Sequence, residues 1–185
     1  MNSPGKLLII SGLSGAGKGT IIKKYFELYP DESVLSVSAT TRAPRPGEEN
    51  GVAYFFKTED EFREMIEEGL FLEYACYVGN YYGTPAGWVK EQMASGKNVI
   101  LEIEQQGAFQ VKEKMPEAVM IFITAPSEAE LIRRLKGRGS ETEEQIRRRL
   151  EQAETEKEKI KFYDHVIVNE DVEKSAQKLH NIILC

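Results

Sequence analysis

The sequence is poor in cysteine and has no long apolar run, and each absence excludes a class of protein. Its 185 residues include 2 cysteines, Cys76 and Cys185, which lie far apart and outside any CxxC or His-rich context. We therefore expect neither a disulfide scaffold nor a zinc site. No apolar run approaches the ~20 residues that cross a bilayer. Because Leu7–Ile10 is also too brief for a signal-peptide core, we expect no membrane association and a cytoplasmic location.

The chain also lacks the basic excess that nucleic-acid-binding proteins usually carry. It has 24 Lys+Arg against 30 Asp+Glu, a formal net charge of −6. This balance argues against a nucleic-acid partner. An acidic protein can still bind small anions if its basic residues are concentrated in a cleft, so their positions matter more than their number. The proportion of hydrophobic residues, 41%, is ordinary for one globular folding unit of this length.

Short β-rich runs alternate with segments of helical periodicity. Several of the runs are apolar almost throughout, as expected for strands buried on both faces of a parallel sheet. The predicted strands are Leu7–Ile10, Val34–Ser38, Val99–Ile103, Val119–Ile123 and His165–Val168. Strands that alternate with helices predict right-handed crossovers and an α/β fold. The core is therefore expected to be a parallel five-stranded sheet flanked by helices.

The intervening segments carry signals for helix starts. Thr58-x-x-Glu61 and Ser127-x-x-Glu130 have the form of capping boxes, and Thr84 followed by Pro85 predicts an N-cap and first helical position. Gly69 and Gly96 are expected to end two of these helices. The charged segment Glu141–Lys161 predicts a helix with one apolar stripe of Ile146, Leu150 and Ala153.

One stretch, residues 38–84, breaks the alternation. It contains the Pro/Gly-rich turn Ala43–Gly47, followed by the short aromatic-rich runs Val52–Phe56 and Phe71–Cys76. We interpret this stretch as a small, partly antiparallel lobe inserted into the α/β core. Cys76 is expected to be a small core residue of that lobe.

The glycine-rich turn after the first strand predicts a phosphate site. Gly12-x-x-Gly15-x-Gly17-Lys18 follows a buried strand and precedes a helix. Glycines let successive backbone N–H groups point at one anion, the helix adds its positive end, and Lys18 can reach the β- and γ-phosphates. The alternative is a glycine-rich turn without a ligand. The predicted ATP-binding residues are Gly12, Leu13, Ser14, Gly15, Ala16, Gly17, Lys18, Gly19 and Thr20.

The residue after the lysine bears on the metal. P-loops usually place Ser or Thr there to bind Mg²⁺, whereas this chain has Gly19 followed by Thr20. The Gly-Lys-Gly-Thr form resembles nucleotide kinases more than GTPases. We expect Mg²⁺ to be held largely by phosphates and water, and we assign no protein ligand to it.

A second pair of cations predicts a second phosphate site. Arg42 and Arg45 lie three residues apart around a proline and can converge on a phosphate through bidentate hydrogen bonds. Alone, they would read as an exposed basic loop. Together with Gly51–Tyr54, Phe71–Glu73 and Gly79–Thr84, they match motifs of one family in order.

The sequence from about Leu7 to Asn169 closely resembles the guanylate kinase family. The resemblance rests on TTRxPRxGE, GNYYGT and the Leu101–Ala108 element that ends in Gln-Gly-Ala. It implies a P-loop nucleoside-monophosphate kinase fold, with a core over 1–37 and 85–185, a GMP-binding lobe over 38–84 and a helical lid over about 126–156. It also implies transfer of the γ-phosphoryl group of ATP to GMP, with Mg²⁺, in purine nucleotide metabolism.

Matching positions assigns roles within that resemblance. Arg42, Arg45, Tyr54 and Tyr82 would hold the GMP phosphate, while Ser38, Glu73 and Thr84 would contact the guanine. Guanine presents N1–H and an amine as adjacent donors, which one carboxylate can accept together, so Glu73 fits guanine better than adenine. Alternation places Glu102 and Glu104 on one face at a strand end. Glu102 would lie nearer the phosphates, and Glu104 stands where similar enzymes commonly have aspartate; simple polarity at a strand end is the alternative.

The resemblance also identifies cations for the chemistry. Phosphoryl transfer needs alignment and neutralisation of negative charge rather than a covalent partner. Asn169 matches a position near the adenine of ATP. The arginine-rich segments could otherwise be a solvated helix face. The predicted catalytic residues are Lys18, Arg42, Arg134, Arg138 and Arg149.

Two other functions remain open from the sequence. A nucleoside-monophosphate kinase for AMP, UMP or dTMP would share the core and the P-loop, and Glu73 is the main argument against it. A non-catalytic guanylate-kinase-like module that binds a phosphorylated peptide would keep the lobe but generally lacks the P-loop lysine and lid. The expected partners are therefore ATP and GMP, with dGMP not excluded.

Overall fold

The computed structural model describes residues 4–137 and 142–185, and its core is one parallel sheet. This sheet has 5 strands in the order β2-β7-β1-β8-β9, every neighbouring pair being parallel. The strands are β1 (Leu7–Gly12), β2 (Ser33–Leu35), β7 (Asn98–Glu102), β8 (Val119–Thr124) and β9 (His165–Val168). The predicted parallel five-stranded sheet is confirmed.

Strand β1 lies at the centre of the core sheet. All of its residues are buried, and it lies between β7 and β8, so its apolar side chains contact helices on both faces. Burying a Leu or Ile side chain contributes about 1.5–3 kcal/mol, which makes this continuous run a strong core element. The strand ends at Gly12, at the edge of the sheet where the parallel strands present their carboxyl ends.

Seven helices are described, and most of them flank this sheet or its edges. Helix α1 packs on α7, α3 on β7, and α4 lies between β1 of the core and β5 of the second sheet. The helices are α1 (Lys18–Leu28), α2 (Glu59–Glu67), α3 (Ala86–Ala94), α4 (Gln105–Lys114), α5 (Glu128–Gly137), α6 (Glu143–Lys157) and α7 (Val172–Leu184), with a short 3₁₀ turn at Ile160–Phe162. In the described part of the chain, no helix is both long and apolar enough to span a membrane.

A second, mixed sheet is formed by the segment that interrupts the alternation. Its 4 strands run in the order β4-β3-β6-β5, with β5 and β6 forming an antiparallel hairpin. Phe62 of α2 packs on Phe71 and Ala39 in a small separate core. The strands are β3 (Ala39–Thr40), β4 (Phe55–Phe56), β5 (Phe71–Tyr77) and β6 (Asn80–Pro85).

Two helices, α2 and α6, begin with capping boxes. Thr58 accepts from the backbone of Glu61 while Glu61 accepts from the backbone of Thr58, so that box is confirmed. Thr142 and Gln145 form a second box at the start of α6, one that the sequence reading overlooked because it placed the start at Glu141. Glu141 itself lies outside the described residues.

Two other cap predictions need correction. The prediction that Thr84 caps α3 is wrong: Pro85 is the N-cap, and the Thr84 hydroxyl donates to Glu73. At α5 only half of the predicted box forms. The Ser127 hydroxyl accepts from the backbone of Glu130, but the Glu130 carboxylate binds Arg133 and Arg134.

The structure corrects two further expectations. Cys76 is exposed rather than buried, because only the first half of β5 packs against the molecule and the second half projects as a hairpin. Strand β2 ends at Leu35, and although the N–H of Ser36 still donates to the carbonyl oxygen of Ile100 in β7, Val37 and Ser38 lead out of the core sheet towards β3.

Candidate active site

The glycine-rich turn joins β1 to α1 at the carboxyl edge of the core sheet. A Cβ on Gly12 would lie 2.0 Å from the carbonyl oxygen of Ile123, so only glycine lets this turn approach β8 so closely. Gly17 has a φ of 94°, which glycine adopts without strain, and its carbonyl oxygen starts the hydrogen bonding of α1. The predicted residues Gly12 to Thr20 thus comprise the end of β1, the turn and the first turn of α1, at the positive end of that helix.

Lys18 and Glu102 lie together beside this loop. Lys18 Nζ donates to the carbonyl oxygen of Gly12 at 2.7 Å, so the side chain folds back across the loop. Glu102 ends β7 next to β1, and a Cβ on Gly19 would lie 3.5 Å from its Oε1. Partial desolvation raises the pKa of Glu102, Lys18 opposes that shift, and Glu104 reinforces it.

A cleft with a volume of about 450 Å³ opens next to this carboxylate. Gly19, Ile22 and Phe26 of α1 form one side of it, and Leu35 and Glu102 form the other. The cleft therefore continues the phosphate loop towards the end of β2, where the chain leaves the core for the second sheet.

Glu104 does not continue the strand as predicted. Strand β7 ends at Glu102, and Glu104 is the N-cap of α4, with its backbone extended at φ −71° and ψ 160°. The expectation that both glutamates alternate on one strand is therefore wrong, although their charges are close enough to interact. The cause is the start of α4 at Gln105, whose side-chain amide donates to the carbonyl oxygen of Glu156.

Arg134 and Arg149 both reach the phosphate loop. Arg134 Nη1 donates to the carbonyl oxygen of Ala16 at 3.2 Å, and its Nη2 donates to the carbonyl oxygen of Asn169 at 2.9 Å. Arg149 of α6 donates to the Ser14 hydroxyl. Two of the predicted cations therefore converge on this turn from α5 and α6, while the third, Arg138, lies outside the described residues.

Asn169 is buried and braces the same turn. Its Nδ2 donates to the carbonyl oxygen of Ala16 at 2.7 Å, and its Oδ1 accepts from Ser175. A Cβ on Gly17 would lie 2.6 Å from Nδ2, so the glycine also leaves room for this brace. The side chain is thus already committed to the protein, and its predicted contact with adenine remains a prediction.

A second cationic group lies on the loop that leads into the mixed sheet. The guanidinium carbon of Arg42 is 5.4 Å from the ring centre of Tyr54, and the rings of Tyr54 and Tyr82 are 6.1 Å apart. Arg45 follows on the same exposed loop, and the carbonyl oxygen of Ser38 accepts from the backbone of Phe55. Five of the residues predicted to contact the phosphate or the base thus lie on or beside β3, β4 and β6.

Glu73 and Thr84 form a buried polar pair on β5 and β6. They face each other in the hairpin register, and the Thr84 hydroxyl donates to Glu73 Oε1 at 2.6 Å. Burial raises the pKa of Glu73, while the Thr84 side chain and backbone and the charge of Lys114 oppose the shift. A carboxylate placed here without a full set of partners is costly unless a ligand completes it.

Two residues near these groups escaped the sequence reading. Glu130 binds Arg133 and Arg134, which lower its pKa to about 2. The sequence was interpreted as a capping box at Glu130, so the pairing with Arg134, four residues later in the helix, was not predicted. Gly107 of α4 lies against Glu73: a Cβ there would be 2.8 Å from Oε2. Gly107 is part of the Gln-Gly-Ala motif, but the sequence alone does not reveal that it packs against Glu73 of the second sheet.

Among the described residues, no group of 3 or more His, Cys, Asp or Glu side chains is arranged to hold a metal ion. Glu102 is the acidic side chain that lies beside Gly19, in the first turn of α1.

Comparison with known proteins assigns the family. The family model described as guanylate kinase matches residues 4–184. Guanylate kinase of Streptococcus pneumoniae is 50% identical over 183 residues, covering 99% of this chain and 88% of that protein. Those of Lactococcus lactis and Caldanaerobacter subterraneus are each 50% identical, over 99% and 97% of this chain and 89% and 87% of theirs.

Solved structures agree with this assignment. The crystal structure of guanylate kinase from Anaplasma phagocytophilum is 36% identical, with a TM-score of 0.74 over 99% of this chain and 86% of that one. A shikimate kinase from Bacteroides thetaiotaomicron is 15% identical, with a TM-score of 0.52 over 97% of this chain and 99% of that one, and shares the fold alone. With a family model matched from residue 4 to residue 184 and relatives at half identity over nearly its full length, the chain belongs to the guanylate kinase family.

Proposed function

We propose that this chain transfers the γ-phosphoryl group of ATP to the phosphate of GMP, giving ADP and GDP. The observation that carries the proposal is the buried Glu73–Thr84 pair, which lies on the mixed sheet and not at the phosphate loop. A phosphate loop alone is common to many nucleotide-binding proteins. A separate buried carboxylate that can accept two adjacent donors is what guanine requires.

The base specificity follows from the hydrogen-bonding groups of the two purines. Glu73 Oε1 already accepts from Thr84, and the carboxylate retains lone pairs for two further donors. Guanine offers N1–H and its exocyclic amine side by side, while adenine has an unprotonated N1 at the same place. A buried site of this kind discriminates by up to about 10⁴-fold, because the wrong base leaves its polar groups unpaired.

The phosphate of GMP is proposed to bind at Arg42, Arg45, Tyr54 and Tyr82. Arg42 and the two tyrosines are already in mutual contact, and each can donate a hydrogen bond to a phosphate oxygen. Ser38 opens this segment, and its side chain is proposed to contact the base. Tyr82 lies on β6, Arg42, Arg45 and Tyr54 lie on the loop between β3 and β4, and Ser38 immediately precedes β3.

The phosphates of ATP are proposed to bind along Gly12–Thr20. Lys18 would exchange its bond to Gly12 for the β- and γ-phosphates, and Arg134 and Arg149 would neutralise charge that spreads over the transferred group. Arg138 is proposed to assist them, and Asn169 to approach the adenine while bracing the loop. Residues 38–84 and about 126–156 are proposed to move as lobe and lid, which would expel water during transfer.

The reaction is proposed to use Mg²⁺ with ATP. The metal would neutralise phosphate charge when bound, and Glu102 is suited to accept hydrogen bonds from its waters. Gly19 removes the hydroxyl ligand that other P-loops supply, which leaves the phosphates as the main ligands. Glu104, the N-cap of α4, is proposed to line the part of the site that binds GMP.

The decisive experiment compares acceptors under identical conditions. ADP formation from ATP and Mg²⁺ should be fast with GMP and negligible with AMP, UMP or dTMP. Fast turnover with another monophosphate would overturn the role of Glu73 but not the fold. If GMP binds and no acceptor is turned over, the proposal fails in favour of a binding module.

A further inference from the structure

The carboxylate of Glu48 accepts three hydrogen bonds within the loop between β3 and β4, and the proposed chemistry gives Glu48 no role. Arg42 Nη2 donates to Oε1 and Oε2 of Glu48, each at 2.9 Å. The backbone N–H of Arg45 donates to Oε2 at 2.8 Å. One carboxylate thus holds a side chain and a backbone amide from the two arginines of the loop.

Two of these residues, Arg45 and Glu48, also close the loop backbone. The N–H of Glu48 donates to the carbonyl oxygen of Arg45 at 3.0 Å, while Arg45 donates back to the Glu48 carboxylate. The backbone from Arg45 to Glu48 is therefore a turn bridged in both directions. Removing the carboxylate would leave only one of these bridges.

Arg42 is held on its other sides by aromatic rings and by backbone. Its Nη1 donates to the carbonyl oxygen of Ala43, and its guanidinium carbon lies 5.4 Å and 5.9 Å from the ring centres of Tyr54 and Phe56. The side chains of Arg42 and Glu48 are 15% and 22% exposed, which is similar to the Arg134–Glu130 pair and well below fully exposed pairs such as Arg147–Glu151. Partly buried, multiply bonded pairs hold geometry where exposed pairs do not.

The charge of Glu48 is secured by its contacts. The backbone amide of Arg45 and the guanidinium of Arg42 lower the pKa of Glu48, so the carboxylate is ionised at neutral pH. An ionised carboxylate beside a phosphate site can act in two opposite ways. It can compete with the phosphate for Arg42, or it can hold Arg42 in the orientation that the phosphate needs.

The contacts favour orientation over competition. Arginine has five N–H donors, and Glu48 and Ala43 engage Nη2 and Nη1, which leaves Nε and further hydrogens for a ligand. Glu48 also bonds to the backbone at Arg45, which a phosphate could not replace without opening the turn. A carboxylate that competed with the phosphate would have to move away from Arg42 when the phosphate binds. Glu48 is instead held in place by the backbone N–H of Arg45.

We propose that Glu48 is a positioning residue that orients Arg42 and closes the Arg42–Glu48 loop for the phosphate of GMP. The inference rests on the proposed function, because it assumes that Arg42 binds that phosphate. It specifies that Glu48 acts through Arg42 and contacts no substrate atom itself.

The test compares Glu48→Ala and Glu48→Gln with Glu49→Ala as a matched control. Glu49 is the neighbouring, exposed glutamate, for which no side-chain contact is found among the described residues. Ordering one long side chain is worth roughly a tenfold change in binding. Glu48→Ala should raise KM for GMP about tenfold with KM for ATP unchanged, and Glu48→Gln, which keeps one acceptor oxygen, should recover part of the loss.

Two readouts separate positioning from loss of structure. Inhibition by guanosine, which has no phosphate, should be the same in Glu48→Ala and in wild type. In an Arg42→Met background, adding Glu48→Ala should raise KM for GMP much less than it does in wild type, because the residue it orients is absent and only its closure of the loop at Arg45 remains. A lower KM in Glu48→Ala would overturn the proposal in favour of competition, and equal losses for guanosine and GMP would overturn it in favour of a structural role.

Failure of the proposed function would be recognised separately. A wild-type protein that does not turn over GMP removes the basis for both proposals. A wild-type protein that does, with Glu48→Ala and Glu49→Ala both unchanged, overturns only the role of Glu48.

Discussion

Gly107 should determine guanine recognition without contacting guanine. It lies in the first turn of α4, and an alanine there would place its Cβ 2.8 Å from Oε2 and 3.2 Å from Cδ of Glu73. Ordinary contacts between carbon and oxygen are about 3.3–3.6 Å, so the carboxylate would have to retreat by roughly 0.5–0.8 Å. Gly107→Ala should therefore disturb the one group on which base specificity is proposed to depend.

Two opposing effects decide the stability of this variant. Alanine is favoured over glycine inside a helix by at most about 1 kcal/mol. Against this, the displaced carboxylate weakens its 2.6 Å bond to Thr84, which is worth roughly 1.5–3 kcal/mol if broken completely and less if stretched. We expect the two effects to cancel largely, with a change in Tm of no more than about 4 °C in either direction.

The effect on catalysis should be much larger than that on stability. Misplacing a substrate-binding group by about 1 Å can cost 10²-fold, so a shift of this size should lower kcat/KM for GMP by roughly 10- to 100-fold. Each tenfold loss corresponds to about 1.4 kcal/mol of transition-state binding. KM for ATP should stay unchanged, because the three atoms nearest to a Cβ on Gly107 all belong to Glu73 and none to the P-loop.

The matched control is Gly87→Ala. Gly87 lies in the first turn of α3, and a Cβ there would meet no atom within 4 Å. It should gain the helix propensity of alanine and leave kcat/KM for GMP as in wild type. A Gly107→Ala enzyme that matches Gly87→Ala in both Tm and GMP kinetics would refute the reasoning.

Three further predictions follow from single contacts. Arg42→Met should raise KM for GMP by about 10- to 100-fold with little change in Tm, because it removes charged hydrogen bonds to phosphate; an unchanged kcat/KM would sink that assignment. Burial raises the folded pKa of Glu73, so its contribution to stability is present below the unfolded pKa near 4.5 and is lost as pH rises through the folded value. The free energy of unfolding of Glu73→Gln, measured by denaturant titration, should therefore rise relative to that of wild type between pH 4 and pH 7. A parallel pH dependence of the two proteins would contradict the shift. Val78 has a φ of 48° in the exposed β5–β6 turn, so Val78→Asn should raise the unfolding free energy by about 1 kcal/mol; a lower Tm would exclude strain there.

The layout of the fold was predictable because its signals are local. Continuous apolar runs such as Leu7–Ile10 and Val119–Ile123 are typical of buried strands, and the glycines between Gly12 and Gly17 indicate a tight turn between strand and helix. Boundaries were less predictable where two signals compete. Thr84 looks like an N-cap before proline, yet its hydroxyl donates across the hairpin to Glu73, a partner 11 residues away.

The parts that sequence missed depend on neighbours from other elements. Glu104 was expected to alternate with Glu102 on a strand, but α4 begins at Gln105 and turns Glu104 into a cap. Cys76 was expected in a small core, but no element covers the outer half of the β5–β6 hairpin in the described chain. Gly107 could be seen as part of a motif, and only the packing of α4 on β5 reveals that it makes room for a carboxylate.

The proposed ATP side of the site illustrates how a protein keeps several cations close together before an anion arrives. Lys18, Arg134 and Arg149 all reach the Gly12–Ala16 turn, where their charges would repel one another. Each donates there to an oxygen that belongs to the turn itself: the carbonyls of Gly12 and Ala16 and the hydroxyl of Ser14. Hydrogen bonds to neutral oxygens are weaker than bonds to phosphate, so a triphosphate can replace them. These hydrogen bonds hold the three cations at the turn, so the proposed binding of a triphosphate would have less side-chain entropy to overcome.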